Sequence, residues 1–245
     1  MKIALLGDAH ANLPALETVL AHAAQQQPDA IWYVGDFVGY NPYPNRVVRL
    51  LRRASAVSII GNYDEKALRF GQKGWKAPRH PLKYRAFEWA YRSLSKKNRR
   101  YLQSLPREIV LRFKHASVLL THGSPASNKE GLTPDTPDAR LRELAQLAGV
   151  DIIVCGHSHR PFARQVGGVW FINPGSVGRP DDGDPRAAYA LLTLKKSGVR
   201  VRHFRLDYDV ERVVEKLRQK KLPAEFGEML RRGCNLDELE QSGPD

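Results

Sequence analysis

The sequence is poor in cysteine and contains no long hydrophobic run. Cys155 and Cys234 are the only cysteines among 245 residues, which excludes a small disulfide-stabilised scaffold. No apolar run approaches the roughly 20 residues that a membrane-spanning helix needs, so we expect no membrane span. The apolar part of the amino-terminal MKIALLGDAH is too short for a signal peptide, and we expect a cytoplasmic protein. Cys155 lies in a predicted buried strand, where an inert thiol is favoured over a metal ligand or a nucleophile.

Acidic residues are scarce in one part of the chain. The whole protein has a formal net charge of +13, with 39 Lys and Arg residues against 26 Asp and Glu. Between Lys66 and Lys114, fifteen Lys or Arg residues face only Glu88 and Glu108. This segment indicates either an anionic partner or substrate, or simply a solvated basic face.

Hydrophobic residues make up 42% of the chain, enough for a sizeable core. Residues 2–62 alternate short apolar runs with helix-like segments in the order βαβαβ, ending in a strand over 57–60, which favours a parallel sheet. Further strands are predicted at 109–113, 118–120, 150–155, 169–172, 187–194 and 199–207. Helices are predicted at about 14–24, 45–54, 65–70, 82–91 and 96–105, from Pro137 with Thr136 as its N-cap to Gly149, and over 210–232 with a break at Pro223.

Polar side chains with metal-binding capacity follow five of the predicted strands where each strand ends. Because ligands collect beyond the carboxyl ends of the strands in an open α/β sheet, these side chains should converge. Taken singly, each aspartate could cap a helix, the asparagine could form a turn, and a histidine could be bonded to backbone in the core. Their shared position at strand ends favours a common site. They are Asp8, His10, Asp36, Asn62, His122, His157 and His159.

The mixture of imidazole, carboxylate and amide oxygen suits first-row ions such as Mn²⁺, Fe²⁺, Ni²⁺ or Zn²⁺. It does not suit Ca²⁺, which prefers oxygen ligands, or a cysteine-rich structural zinc. Seven ligands are too many for one tetrahedral ion and fit two ions that share a carboxylate. A pair of ions about 3.5–4 Å apart is typical of enzymes that displace groups at phosphorus.

Short motifs along the chain resemble those of the calcineurin-like metallophosphoesterases. GDAH, GD, GNYD, THG and GHSH occur in the family order, and VGYNPYP, NPGSVG and DGDPRAAYALL resemble its small bacterial and archaeal branch of stand-alone phosphodiesterases. The resemblance covers roughly residues 1–207 and implies a four-layer αββα sandwich, two mixed β-sheets flanked by helices. We expect one domain over 1–245, with a basic helical insertion at 66–114 and a helical extension at 208–245.

The resemblance also implies how the ligands are shared. Asp8, His10 and His159 would hold one ion, and Asn62, His122 and His157 the second. Asp36 would bridge the two ions, which we expect to be Mn²⁺, with Fe, Ni or Zn as alternatives. A hydroxide between the ions would then attack phosphorus, without a protein nucleophile.

One position departs from the family pattern. Many members have histidine, a candidate acid for the leaving group, where this chain has Tyr63. A phenol is a poor acid at neutral pH, although it can donate a hydrogen bond to a phosphoryl oxygen. We therefore expect leaving groups of low pKa to be favoured. Asp64 either orients a neighbouring ligand or caps a helix.

Substrate contacts are less clearly marked than metal ligands. Arg179 and Arg186 could contact a phosphate, although solvent exposure or ion pairs with nearby aspartates are favoured. Asn12 could face the phosphate or start a helix, Asn62 is a candidate for contact with substrate as well as metal, and Asn173 is favoured as a turn former.

The preferred hypothesis is a metal-dependent phosphodiesterase of small, nucleotide-like substrates. One alternative is a nuclease in which residues 66–114 bind nucleic acid. Another is a non-catalytic scaffold like the retromer subunit of this fold, which has lost part of its site. Because every ligand position is filled here, the scaffold is disfavoured. Neither a membrane partner nor a fixed oligomeric state is indicated, and a homo-oligomer is compatible with the sequence.

Overall fold

The computed structural model describes residues 1–241 and contains two five-stranded mixed sheets. The first sheet has the order β10-β9-β1-β2-β3, with β1, β2 and β3 parallel and β9 antiparallel to β1. Its strands are β1 (Lys2–Leu6), β2 (Ala30–Tyr33), β3 (Val57–Ser58), β9 (Ala187–Lys195) and β10 (Gly198–Leu206).

The second sheet has the order β4-β5-β6-β8-β7, with β5, β6 and β8 parallel. Its strands are β4 (Glu108–Phe113), β5 (Ala116–Thr121), β6 (Ile152–Val154), β7 (Phe162–Val166) and β8 (Val169–Asn173). In each sheet the carboxyl ends of the parallel strands lie at one edge, where functional loops usually occur in α/β folds.

The two sheets pack face to face, because alternate residues of each strand point to opposite sides. In β1, Ile3 and Leu5 pack against the second sheet, whereas Ala4 and Leu6 pack against helices. The inner layer is completed from the second sheet by residues such as Val118 and Ile152. Helices cover both outer faces, which confirms the predicted four-layer sandwich.

Nine helices are present in residues 1–241. α1 and α2 cover the first sheet and α6 covers the second. The helices are α1 (Leu13–Gln25), α2 (Pro44–Arg53), α3 (Asn62–Leu68), α4 (Pro81–Ser93), α5 (Lys96–Ser104), α6 (Asp138–Ala148), α7 (Val210–Gln219), α8 (Glu225–Arg232) and α9 (Leu236–Gln241).

Several predicted boundaries were wrong for local reasons. α3 begins at Asn62, three residues earlier than predicted, because the Asp64 carboxylate accepts from the Gly61 N–H and closes the first turn. The predicted strand over 57–60 ends already at Ser58. Strand β7 was missed because its polar centre lies at a sheet edge, paired with β8 alone. α9, also missed, is a short and strongly acidic helix.

The predicted N-cap of α6 was also wrong. The Thr136 hydroxyl accepts from the Thr133 N–H instead, and Pro137 precedes the first helical residue. The predicted end of the helix was correct, because Gly149 adopts a left-handed conformation there (φ 59°).

The carboxyl-terminal helices pack on the insertion predicted at 66–114. Phe226 and Leu230 of α8 share a buried cluster with Ala86 of α4 and with Tyr40. The single domain over 1–245 stays a prediction, and residues 242–245 of the predicted extension lie outside the described residues. No helix within residues 1–241 is long and apolar enough to cross a membrane.

Candidate active site

The predicted ligands meet at the carboxyl edge that the two sheets share. β1 leads to Asp8 and His10, β2 to Asp36, β5 to His122, and the others follow β3 and β6. Backbone hydrogen bonds hold the loops together, including His10 N–H to Asp36 O (3.0 Å) and Gly156 N–H to His122 O (2.8 Å). Six of the seven side chains are buried, and only His157 is half-exposed.

The backbone at this edge is strained. Five of the seven predicted ligands have positive φ angles without being glycine: Asp8 (56°), His10 (43°), Asp36 (58°), His157 (67°) and His159 (58°). Such conformations cost on the order of 1–3 kcal/mol each and persist where the surrounding structure enforces them. Their concentration at one edge marks this edge as functional.

Close packing explains why glycines flank the strained residues. A Cβ at Gly61 would lie 2.1 Å from Asp36 Oδ1, and one at Gly156 would lie 2.6 Å from Asp8 Oδ2. Any larger residue would displace a carboxylate, so these glycines fix the positions of the two acids.

Asp8, His10 and His159 form the first cluster. Their ligand atoms lie within 4.8 Å of one another. His10 Nε2 is 3.2 Å from His159 Nε2, which is 3.4 Å from Asp8 Oδ1. The Nδ1 of His159 lies 2.6 Å from the carbonyl oxygen of Arg179, so this nitrogen carries the proton and Nε2 presents its lone pair to the cluster.

Asp36, Asn62 and His122 form the second cluster, beside the first. His122 Nε2 is 3.0 Å from Asn62 Oδ1 and 3.4 Å from Asp36 Oδ2. Its Nδ1 is 2.8 Å from the carbonyl oxygen of Val34, which directs Nε2 toward Asn62 and Asp36. Asp36 Oδ2 is also 3.6 Å from His10 Nε2, so this carboxylate lies between the clusters.

Burial and the neighbouring carboxylates shift the pKa values of the two histidines in opposite directions. Burial alone would lower the pKa of His122, but the adjacent Asp36 carboxylate raises it to about 10. Burial also lowers the pKa of His10 to about 3, so its ring is neutral. Buried Asp8 Oδ1 and His10 Nδ1 have no hydrogen-bond partner within residues 1–241. Carboxylate, imidazole and amide groups gathered at one buried point form a donor set that fits divalent cations.

His157 is placed differently from the other predicted ligands. Its backbone N–H donates to Asp8 Oδ2 (3.2 Å), and its ring Nε2 lies 3.1 Å from the carbonyl oxygen of Lys129. The ring centroid is 5.2 Å from that of His122, so Nδ1 is the atom left to serve the second cluster. The Lys129 contact was not predicted, because a loop carbonyl leaves no mark in the sequence.

Asp64 joins two loops of the site and closes the first turn of α3. Its carboxylate accepts from the N–H groups of Phe37 (3.2 Å), Val38 (3.0 Å) and Gly61 (3.0 Å). It therefore caps α3 and joins the loop that carries Asp36 to the turn that carries Asn62. Burial, followed by the charge of Asp36, raises its pKa to about 7.

Tyr63 lies at the edge of the clusters and pairs with a second phenol. Its hydroxyl is 2.5 Å from that of Tyr40, and its ring meets the His10 ring edge-on with 5.0 Å between centroids. Burial raises the pKa of Tyr63 well above its usual value. Tyr40 was not predicted as a site residue, although it lies in the quoted VGYNPYP motif.

Arg179 is buried beside the same phenols. It is 8% exposed, and its guanidinium lies 5.1 Å from the centre of the Tyr40 ring and 3.8 Å from Asp181 Oδ2. Its Nε has no hydrogen-bond partner among the described residues. Solvent exposure was therefore the wrong alternative for Arg179, whereas the alternative of an ion pair with a nearby aspartate was correct. Arg186, by contrast, pairs with Asp184 (2.7 Å).

The two predicted asparagines outside the clusters have structural contacts. Asn12 caps α1, since its side-chain oxygen accepts from Ala15 N–H and its amide group donates to Gly178 O and the Tyr208 hydroxyl. The contacts favour the helix-starting alternative over a phosphate contact for this buried residue. Asn173 accepts from Gly175 N–H within its turn, as expected.

Comparison with known proteins agrees with this geometry. Residues 1–197 match the calcineurin-like phosphoesterase superfamily domain. An uncharacterized protein of Methanocaldococcus jannaschii is 32% identical over 93% of this chain and 96% of its own length. The phosphodiesterase YfcE of Escherichia coli is 26% identical over 78% of this chain and 87% of its own length.

A solved structure extends the likeness to three dimensions. The metallophosphoesterase from Sphaerobacter thermophilus superposes with a TM-score of 0.78 and 32% identity, covering 95% of this chain and 99% of that one. The similarity to this structure and the match to the family domain are both consistent with a metal site formed by the two clusters at the sheet edge. The chain is a metal-dependent phosphoester hydrolase and belongs to the calcineurin-like phosphoesterase superfamily.

Proposed function

We propose that this protein is a dinuclear-metal phosphodiesterase that hydrolyses small, nucleotide-like or activated phosphodiesters. The observation that carries the proposal is the pair of adjacent clusters of carboxylate, imidazole and amide groups, with Asp36 between them. One cluster has two histidines and a carboxylate, and the other adds an amide oxygen and a third imidazole. Sets of this kind suit borderline divalent ions, of which Mn²⁺ is our first choice.

In this proposal Asp8, His10 and His159 hold one ion, Asn62, His122 and His157 hold the other, and Asp36 contacts both. Bound there, a pair of divalent cations supplies a nucleophile from water at neutral pH and polarises the phosphoryl oxygens. We also propose that the enzyme works in the cytoplasm, in keeping with its two free thiols at Cys155 and Cys234.

The surrounding residues position the substrate and tune the site. Arg179 is buried over the Tyr40 ring beside Asp181, and its Nε has no hydrogen-bond partner among the described residues, so it can donate to an anionic phosphodiester. Asp64 holds the backbone on both sides of the shared carboxylate, and loss of such support usually weakens metal binding.

Tyr63 determines which leaving groups can depart. Its hydroxyl stays protonated at all ordinary pH values, because burial raises its pKa. It can donate a hydrogen bond, but it transfers a proton poorly. Leaving groups that need no proton, such as nitrophenolate, should therefore depart readily. Alkoxide leaving groups should depart slowly.

A substrate panel tests the proposed activity. The purified protein, supplied with Mn²⁺, is assayed against aryl phosphodiesters, 2′,3′-cyclic nucleotides, dinucleoside polyphosphates, phosphomonoesters and single-stranded DNA. We expect the aryl diesters to be hydrolysed fastest and alkyl monoesters slowest. Faster hydrolysis of monoesters than of every diester would contradict the proposal. So would a panel in which nothing is cleaved.

Restoring the histidine tests the role of Tyr63. Tyr63→His should speed the release of poor leaving groups by about 10²-fold, the lower range for general acid catalysis, and leave nitrophenyl diesters almost unchanged. Rates measured over a series of aryl leaving groups of increasing pKa would show this as a flatter dependence on leaving-group pKa. Tyr63→Phe is the matched control. Equal acceleration across the series would contradict this role.

A further inference from the structure

Most arginines on the surface of the protein are paired with acids. Arg140 lies 2.8 Å from Glu130, Arg231 lies 2.7 Å from Glu211, and the other paired arginines are spread over α2, α4, α6, α7, β7, β10 and several loops. Paired charges neutralise one another locally and leave little long-range field. The net charge of +13 must therefore come from cations elsewhere.

Cations without an acidic partner occur along the described chain, and a dense group of seven lies on two neighbouring helices. These seven have no carboxylate within ion-pair distance among residues 1–241, and all are exposed or half-exposed. We call this face the α2–α5 surface. It consists of Arg49, Arg52 and Arg53 on α2 and Lys96, Lys97, Arg99 and Arg100 on α5.

Two depressions run along the α2–α5 surface, one on each side of α5. A cavity of about 390 Å³ lies between the helices and is lined by Arg49, Arg52, Arg53, Lys97 and two polar residues. A second cavity of about 200 Å³ on the other side of α5 is lined by residues that include Lys96, Arg99 and Arg100. The cations thus line a continuous strip with two grooves, which suits an extended polyanion better than a single small anion.

The aromatic residues in this strip are already covered. The Arg52 guanidinium lies 4.7 Å from the centre of the Tyr101 ring, and that of Arg99 lies 4.2 Å from the centre of the Tyr91 ring. Bases of a nucleic acid would have no free ring on which to stack. Contact must therefore be made through phosphates, which carry no sequence information.

A membrane surface fits this face less well. Peripheral helices that bind lipid bury exposed apolar side chains beneath the headgroups. The large exposed hydrophobic residues of the described chain are Met1, Tyr84, Val110, Phe113 and Leu147, and none is on α2 or α5. Charge without an apolar face points to a soluble polyanion.

The α2 cations lie away from the metal clusters. α2 connects the carboxyl end of β2 to the amino end of β3, so Arg53 lies at the opposite end of the sheet from Asp36 and Asn62. None of the seven cations contacts a predicted metal ligand. The surface can therefore bind a partner without taking part in hydrolysis.

We propose that the α2–α5 surface binds the phosphate backbone of a nucleic acid, without base recognition, and anchors the enzyme to it. Binding of this kind releases counterions and weakens as salt rises. Strands of unrelated sequence should bind with nearly equal affinity. The surface extends beyond the basic segment 66–114, because three of its arginines belong to α2.

The test is fluorescence anisotropy with a labelled 20-nucleotide single strand, measured in EDTA to prevent cleavage and over a series of salt concentrations. The variant replaces Arg49, Arg53 and Lys97 by glutamine, because all three are exposed and their side chains make no hydrogen bond to another residue within 1–241. We expect affinity to fall roughly 10–100-fold near 0.1 M salt and the slope of log K against log salt to decrease by about 2.

The matched control replaces Lys195, Lys196 and Arg200 by glutamine. These residues are also exposed and belong to the β9–β10 hairpin at the far edge of the first sheet, so the net charge changes equally. The control should keep wild-type affinity, and both variants should keep the wild-type melting temperature and aryl diester hydrolysis.

Three results would overturn the proposal: equal losses in both triple variants, no binding of the strand by the wild type, or unchanged binding by the α2–α5 variant. Binding of anionic phospholipid vesicles but not of the strand would also overturn it and would indicate a lipid surface. Because aryl diester hydrolysis is measured separately, failure of this proposal is distinguishable from failure of the proposed activity.

Discussion

The metal clusters and the α2–α5 surface both suit phosphate, yet they are built in opposite ways. The clusters are buried, their backbone is strained, and almost every ring nitrogen and carboxylate has a defined neighbour. The α2–α5 surface is exposed, lies on regular helices, and its cations have no acidic partners. The clusters hold a few metal-binding groups in fixed positions, whereas the α2–α5 surface presents several exposed cations on flexible side chains.

This difference reflects the work that each region can do. Chemistry at phosphorus needs charges held in a site that excludes water, where their interactions are strong and their positions fixed. Anchoring a polyanion needs only a summed positive potential, which tolerates mobile side chains. Substitutions in one region should therefore abolish its activity, hydrolysis or strand binding, without affecting that of the other region.

The largest effect is expected from Asp36→Asn. Loss of the carboxylate between the clusters should reduce aryl diester hydrolysis by on the order of 10³-fold or more. Binding of the labelled strand in EDTA should stay at wild type, and Asp135→Asn, at an exposed position, should change neither. If Asp36→Asn also weakened strand binding, the two regions would not be independent.

Single histidine variants sharpen the description of the clusters. His159 Nε2 lies 3.2 Å from His10 Nε2, whereas the His157 ring neighbours that of His122. His159→Ala and His157→Ala should therefore each lose about one of two bound ions, and should lose different ones. Metal analysis combined with a spectroscopically active ion such as Mn²⁺ measures this. Loss of the same ion in both variants would contradict the assignment.

Asp64→Asn should have an intermediate effect. An amide cannot accept three N–H groups as the carboxylate does, so the loop carrying Asp36 should loosen. We expect metal affinity to fall about 10–100-fold, with activity largely restored at saturating metal. Asp209→Asn, which changes the cap of the remote helix α7, is the matched control. Unchanged metal affinity in Asp64→Asn would reduce its role to helix capping.

The smallest effect is expected from Arg179→Gln. Loss of one charge-assisted hydrogen bond to substrate should raise KM for an aryl diester about tenfold. Arg186→Gln should leave KM unchanged, because Arg186 is paired with Asp184 at the surface. Neither variant should alter the salt dependence of strand binding. Equal changes in both variants would exclude a specific contact by Arg179.

The sequence predicted the clusters well because each ligand carries a local signal. A polar residue directly after an apolar run and beside a glycine, such as Asp36 after Gly35, indicates a strand end, and parallel strands share one edge. The four-layer fold followed from the resemblance. The alternation of the first strands alone predicted one sheet and not two.

The remaining features depend on how separate elements pack. The pairing of Tyr40 with Tyr63, and the contact of Phe226 with Tyr40, join segments that no local pattern connects. The basic segment 66–114 contains only part of the surface that we propose. Its helix α5 pairs with the arginines of α2, which precede the segment.

The position of β1 also sets the order in which the protein can be completed during synthesis. β1 lies between β2 and β9, and Lys2 is paired with Thr193. At ribosomal rates, β1 waits roughly 10–40 s for this partner to emerge. Until then the strand that precedes Asp8 and His10 keeps an unpaired edge. Nascent chains stalled near residue 185 should be cleaved by protease within β1, whereas chains that expose residue 206 should be protected.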